Sequence, residues 1–223
     1  HNSTRCVLED REGNLWVGPW RDGLIRLSNG KFRVFTRQGG LPHNTILAAD
    51  EDAQGRLWVG THAGVGRIAA QGPVSMEAIN RRLPKARDIK DLLWDRSGTL
   101  WLSTLEGLYA VRGEDVRPVL KGPGEPLAGV RVILESSSGG LWLGTSGGLL
   151  HLKDGRIEAL STRESLGQEL FVLSLYEDPT KRLWIGTRAH GLVLLEGGKF
   201  KAFTTQHGLP TDSIFRVNPD EDG

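Results

Sequence analysis

The sequence predicts an all-β chain, a β-propeller of four-stranded antiparallel blades, and three observations carry the prediction. A block of about 42 residues recurs five times around a Leu-Trp pair, with Trp16, Trp58, Trp101, Trp142 and Trp184 spaced by 42, 43, 41 and 42 residues. Each block divides into four short apolar runs bounded by Asp, Asn and Gly turn signals, the pattern of strands joined by tight connections. The strand that carries the tryptophan is apolar on both faces, with Leu15 and Val17 pointing one way and Trp16 the other. A sheet buried on both faces needs a neighbour on each side, so the repeats bury their cores only by stacking. Sheets packed face to face in a ring satisfy this, whereas the rungs of a β-helix are usually shorter.

The first strand of each repeat is expected at Cys6–Glu9, Ile46–Asp50, Ile89–Trp94, Val130–Leu134 and Phe171–Tyr176, with a sixth at Ile214–Val217. An Asp-x-x-Gly turn follows: Asp10 with Gly13, Asp52 with Gly55, Asp95 with Gly98. The aspartate caps the turn by accepting a backbone N–H two residues on, and the glycine takes positive φ. In the fourth repeat Ser136 stands for the aspartate, and in the fifth Asp178 remains but Lys181 takes the glycine position. The Leu-Trp strand comes next, and the glycine two residues after the tryptophan is expected to leave room for the indole. Third strands are read at Leu24–Leu27, Val65–Ile68, Leu108–Val111, Leu149–Leu152 and Leu192–Leu195. Turns at Asn29-Gly30, Asp154-Gly155 and Gly197-Gly198 suit two-residue hairpins. Those lead to fourth strands at Phe32–Phe35, Val74–Ile79, Val116–Leu120, Ile157–Leu160 and Phe200–Phe203; only Glu77–Leu83 has room for a helical turn. The blades therefore span residues 5–36, 45–79, 88–120, 129–160 and 169–204, and a sixth starts within 213–223, where Asp220 and Gly223 restate the turn. Five blades and one extra inner strand read as a segment of a larger ring of about seven blades.

Composition narrows the function. With 28 basic and 27 acidic residues and a net charge of +1, the cations form no stripe, which argues against nucleic acid and against a membrane-surface patch. No run of 18 apolar residues is long enough for a bilayer span. The single Cys6 excludes an internal disulfide and a thiolate metal cluster.

Meander parity puts the Asp-x-x-Gly and third-to-fourth-strand turns at one end of every blade, and these tight repetitive turns read as structural. The variable residues fall in the loops at the other end, where a rigid scaffold carries function. They include Pro19-Trp20-Arg21-Asp22, His62-Ala63, Leu105-Glu106, Ser146-Gly147, Arg188-Ala189-His190, Arg37-Gln38, His43-Asn44, Lys85–Arg87, Arg163-Glu164 and Gln206-His207. Trp20 is the outlier: an indole beside Arg21 where other blades have small residues suits stacking on a sugar or aromatic ring. Its alternative is packing over the neighbouring blade. Trp94 reads as core or channel lining. The candidate ligand-binding residues are Trp20, Arg21, His62, Glu106, Arg188 and His190. No catalytic residue, metal site or cofactor is expected: the histidines fall in different blades, and the Asp turns lack the alternating oxygens and closing glutamate of a calcium loop. No nucleophile elbow or phosphate loop is present.

These residues resemble the two-component regulator propeller repeats. The first repeat carries Asp10-x-x-Gly13-x-Leu-Trp-Val-Gly, Gly23-Leu-x-Arg26-Leu27, Gly30-Lys31-Phe32-x-x-Phe35-Thr36 and Gly40-Leu41-Pro42-x-Asn44-x-Ile46. The fifth restates it with Gly198-Lys199-Phe200-x-x-Phe203-Thr204 and Gly208-Leu209-Pro210-x-Asp212-x-Ile214. The middle repeats have drifted, with Pro84, Leu127 and Leu166 at the Gly-Leu-Pro positions. The resemblance implies a periplasmic, non-catalytic sensor module of a bacterial signalling protein that recognises a small molecule or glycan. In that family a β-sandwich, one membrane helix and a histidine kinase or diguanylate cyclase output follow the propeller in the same polypeptide, and some members dimerise. Rival readings are a propeller lyase resembling streptogramin lyase, with an acid–base pair drawn from His62 or His190 and Glu106 or Glu164, and a purely structural interaction scaffold.

Overall fold

The computed structural model describes residues 4–69, 72–84 and 88–219, so Lys85–Arg87, Asp220 and Gly223 lie outside the described residues. Five four-stranded antiparallel sheets follow one another in simple up-and-down order. They are β1–β4 (Thr4–Glu9, Leu15–Pro19, Leu24–Ser28, Lys31–Phe35) and β5–β8 (Ile46–Glu51, Leu57–Thr61, Gly64–Ala69, Gly72–Ser75). Next come β9–β12 (Asp91–Trp94, Leu100–Ser103, Leu108–Arg112, Asp115–Pro118), and after a small hairpin β13–β14 (Leu120–Gly122, Glu125–Pro126), β15–β18 (Val130–Glu135, Leu141–Thr145, Gly148–Lys153, Arg156–Leu160). The fifth is β19–β22 (Val172–Glu177, Leu183–Thr187, Leu192–Glu196, Lys199–Phe203). The chain forms two compact units, His1–Ala128 with three blades and Gly129–Gly223 with two.

The Asp-x-x-Gly turn is more than a turn. In the first blade Asp10 Oδ1 accepts the N–H groups of Glu12 (3.0 Å) and Asn14 (2.8 Å), while Oδ2 accepts Trp16 Nε1–H at 2.6 Å. Asp52, Asp95 and Asp178 repeat the pattern on Trp58 (2.8 Å), Trp101 (2.7 Å) and Trp184 (3.0 Å). A carboxylate thus clasps the indole six residues on, and one acceptor pair orders both turn and core ring. Burial alone would raise the Asp178 carboxyl, but bonds from Thr180, Trp184 and Arg182 hold it well below the ordinary range. Lys181 accepts φ +66° in that turn. In the fourth blade Ser136 cannot reach the ring. Glu177 of the fifth blade takes over, accepting Ser137 N–H (3.1 Å) and Trp142 Nε1–H (2.9 Å).

Blades meet through the glycine two residues after the tryptophan, and here the sequence expectation needs correcting. The space beside that glycine is filled by the blade's own first strand and by the next blade, not by the indole. A Cβ on Gly18 would lie 3.0 Å from Ile46 Cβ, one on Gly60 2.6 Å from Ile89 Cγ2, and one on Gly144 2.4 Å from Val172 Cγ1. Hydrogen bonds fix the same approach, Ile89 N–H to Thr61 O at 3.0 Å and Ile214 N–H to Thr187 O at 2.8 Å. Three core clusters lie within the two units, one around Trp16, Ile46 and Val59, one around Trp58, Ile89 and Leu102, and one around Val172 and Ile185.

Several strand limits differ from the sequence reading. Ile89 is consumed by its bond to the preceding blade, so β9 starts at Asp91. The expected strand Val74–Ile79 stops at Ser75 and turns into a short helix, α1 (Glu77–Asn80), which buries Ile79 and Asn80. Asn80 Oδ1 accepts Val65 N–H at 2.8 Å and its Nδ2 donates to Val65 O at 3.0 Å, doing the work of a strand. The expected strand Val116–Leu120 ends at Pro118, and β13–β14 follow. No strand forms at 214–217, because no second strand among the described residues pairs with it; Ile214 alone docks beside Gly186.

The face of the first blade opposite Trp16 is open. Val7, Leu15, Phe32 and Val34 are 46%, 36%, 74% and 55% exposed, whereas Leu57 and Val59, the counterparts of Leu15 and Val17 in the second blade, are 4% and 0% exposed beneath the first.

Candidate functional site

At the end opposite the clasps, four blades share a device the repeat did not advertise. Thr61, Thr104, Thr145 and Thr187, three residues after each tryptophan, donate their hydroxyls to the carbonyls of Gly64, Gly107, Gly148 and Gly191 at 2.7–3.1 Å, closing the second-to-third-strand hairpin. The first blade has Pro19 there, with no hydroxyl to give. Its loop opens instead, Arg21 adopts φ +76°, and Trp20 leans across the rim.

Trp20 meets His62 edge to face, with ring centroids 5.8 Å apart, and His62 meets His43 in the same way at 5.7 Å. The Arg5 guanidinium lies 4.4 Å from the Trp20 ring centroid, closer than Arg21 at 6.0 Å. Arg5 is the extra residue of a bulge in β1, between Thr4 and Cys6, and bulges re-aim side chains in this way. From the connection between the second and third blades comes Asp88, whose Oδ1 is 2.6 Å from His62 Nδ1 and whose Oδ2 is bound by Lys90 Nζ. The His62–Asp88 contact is an ion pair when both imidazole nitrogens are protonated. His43 Nδ1 accepts Thr45 N–H at 3.0 Å, which leaves its proton on Nε2. Burial first, then the charges of His62 and Arg37, lower the basicity of His43. Five separate segments thus place an indole, two imidazoles, a lysine, a carboxylate and an arginine on one rim patch. Aromatic rings set among charged donors and one acceptor are groups that can hold a polar ring.

Of the six candidate residues, Trp20, Arg21 and His62 come together here. Glu106 does not join them through any bond: it is exposed in the third blade's hairpin, its N–H on Thr104 Oγ1 at 3.2 Å. After burial, its charge is the second cause of the raised Tyr109 hydroxyl. Arg188 and His190 belong to the second unit. There Arg188 stacks on Phe171 (5.2 Å) beside Arg131 (5.0 Å), another bulge arginine, and His190 N–H donates to Thr187 Oγ1 at 2.9 Å. His43, Asp88, Lys90 and Arg5 were not among the candidates. Two signals point to them: Asp88 directly precedes the anchor Ile89 just as Thr45 precedes Ile46, and Pro19 breaks the threonine pattern. Among the described residues, no group of three or more His, Cys, Asp or Glu is arranged to hold a metal ion.

Residues 1–21, 40–63 and 165–189 match the two component regulator propeller. These stretches are repeats of that type. No curated protein matches the chain. Among solved structures, the extracellular domain of a protein described as a hybrid two component system from B. thetaiotaomicron superposes with a TM-score of 0.77 at 22% identity, covering 94% of this chain and 29% of that one. The extracellular domain of a protein described as a one component system from the same organism gives 0.73 at 25% identity, covering 90% and 28%. Virginiamycin B lyase from Staphylococcus aureus gives 0.71 at 14% identity, covering 90% and 69%, and shares the fold alone. The chain spans less than a third of the length of the two extracellular domains. It is a propeller chain resembling the extracellular domains of two-component systems, and no helix among its described residues is long and apolar enough to cross a membrane.

Proposed function

We propose that this chain is part of a non-catalytic, periplasmic sensor module that recognises a small molecule or glycan through rim loops and passes the signal to a kinase or cyclase domain of the same full-length polypeptide. The observation that carries this reading is the convergence of Trp20, His62, His43, Asp88, Lys90 and Arg5 on one patch of the first unit. The repeat type and the sensor-like neighbours support the setting. The lyase reading is weaker, because the carboxylate that engages His62 is Asp88, already tied to Lys90, and not Glu106 or Glu164. A homodimer has support from the open apolar face at Val7, Leu15, Phe32 and Val34. The test is saturation-transfer NMR with a panel of neutral and acidic mono- and disaccharides. At least one is expected to bind, and Trp20→Ala to weaken it tenfold or more. A panel without a binder, or a Trp20→Ala protein that binds like the original, contradicts the reading.

A further inference from the structure

The second and third blades part at the clasp end to leave a cleft of about 880 Å³, remote from the rim loops along the strands. Its walls include Trp58, Arg67 and Met76 of the second blade and Trp94, Leu100 and Val111 of the third. The opening has a local cause. In the first blade Phe35 stacks on Trp16 (5.7 Å, 29°), and in the fifth Phe203 lies over Trp184 (6.2 Å, 31°). In the second blade the residue at that position is Met76, whose N–H bonds Val65 O at 3.1 Å, so no aromatic ring of its own blade stacks on Trp58. Trp94 of the next blade meets it instead at 5.1 Å and 60°, a splayed aromatic pair.

The donors of this cleft are not in balance. Arg67 Nε and Trp94 Nε1 are buried without a hydrogen-bond partner, although the five repeat tryptophans all donate to a carboxylate. Arg67 has no ion-pair partner among the described residues; its guanidinium lies 5.8 Å from the Trp58 ring centroid. The acids that line the cleft are already engaged. Asp95 accepts from Trp101, Ser97 and Thr99; Glu51 holds Arg11; Glu114 faces Arg82 at 3.9 Å. A buried donor with no acceptor is costly, so two in one cleft favour a ligand that brings acceptor oxygens. The flanking carboxylates oppose a doubly charged phosphate but tolerate a single negative charge set between the guanidinium and the indole N–H.

We infer that this cleft binds a ring carrying one carboxylate, with the carboxylate directed to Arg67 and Trp94 Nε1–H and the ring packed on the cleft walls at Trp94, Met76 and Val111. The site is independent of the rim patch and uses none of its residues. Indole-3-acetate and glucuronate serve as probes for an aromatic acid and a sugar acid, against uncharged indole-3-acetamide and methyl glucoside. In ¹H–¹⁵N spectra of the intact chain, at least one acid should move the indole N–H resonances of Trp58 and Trp94 while leaving Trp20 in place, and should bind at least tenfold more tightly than its uncharged counterpart. Which acid does so distinguishes the two sources. Arg67→Met, which keeps the stem over Trp58, should erase that advantage. The inference is overturned if neither acid moves these resonances, if the uncharged counterpart binds equally well, or if folded Arg67→Met binds like the original. Should Arg67→Met fail to fold, the resonance shifts in the unmodified chain decide alone.

Discussion

The two ends of the blades are built on opposite plans. At the clasp end the same atoms recur: a carboxylate, two backbone N–H groups and an indole in the four blades that use their own aspartate, and a carboxylate, one backbone N–H and an indole in the fourth, served by Glu177. At the rim end the threonine hairpin recurs in four blades, but the side chains that reach past it differ in every one. The first blade gives up the threonine and swings Trp20 over the second. The clasp end commits its aspartates to fixing each turn against its own indole. The rim end, held by backbone and hydroxyl bonds below it, leaves its large polar side chains for recognition.

This contrast is sharpest in variants. Trp58→Ala should have the largest effect, because it removes a buried indole and strands the Asp52 carboxylate; a loss of about 3–5 kcal/mol is expected by chemical denaturation. Asp52→Ala should cost about 2–3 kcal/mol, since Trp58 Nε1, two backbone N–H groups and Arg56 all lose a charged acceptor. Ser136→Ala, in the blade whose ring is held by Glu177, should cost less than half as much; equal losses would break the clasp account. Gly60→Ala, with its Cβ 2.6 Å from Ile89 Cγ2, should destabilise by about 1–3 kcal/mol by pushing the third blade outward.

The smallest effect is in pH. His43 is less basic in the folded chain than the ordinary 6.5, so below that pH the unfolded chain takes up its proton first and stability declines as pH falls. Asp52, Asp95 and Asp178 are more acidic than the ordinary 3.8, so the stability they contribute is present above 3.8 and is lost as pH falls below it. A melting series should therefore show a shallow decline that begins as pH falls below about 6.5, absent in His43→Gln, and a steep one below about 3.8.

The blades were legible because their signals are local and periodic: the indole, the aspartate six residues before it and the glycine turns all repeat within a few positions. The inter-blade anchors were not, because Ile46, Ile89, Val172 and Ile214 each act on a glycine from the preceding repeat. For the same reason Glu177 could not be matched to Trp142, 35 residues away. Trp20 and His62 stood out as departures from the repeat, but their neighbours did not. Asp88 reaches His62 through a connection that has drifted from the repeat, and Arg5 reaches Trp20 through a bulge that no turn signal marks.

The division between clasp and rim is tested most directly by thermal melts of Trp20→Ala and Trp58→Ala side by side. The account predicts that Trp58→Ala lowers Tm by about 10 °C, as expected for a core deletion in a chain of this size, while Trp20→Ala lowers it by no more than about 3 °C. Equal losses in the two variants would make Trp20 a packing residue like the five repeat tryptophans and contradict the account.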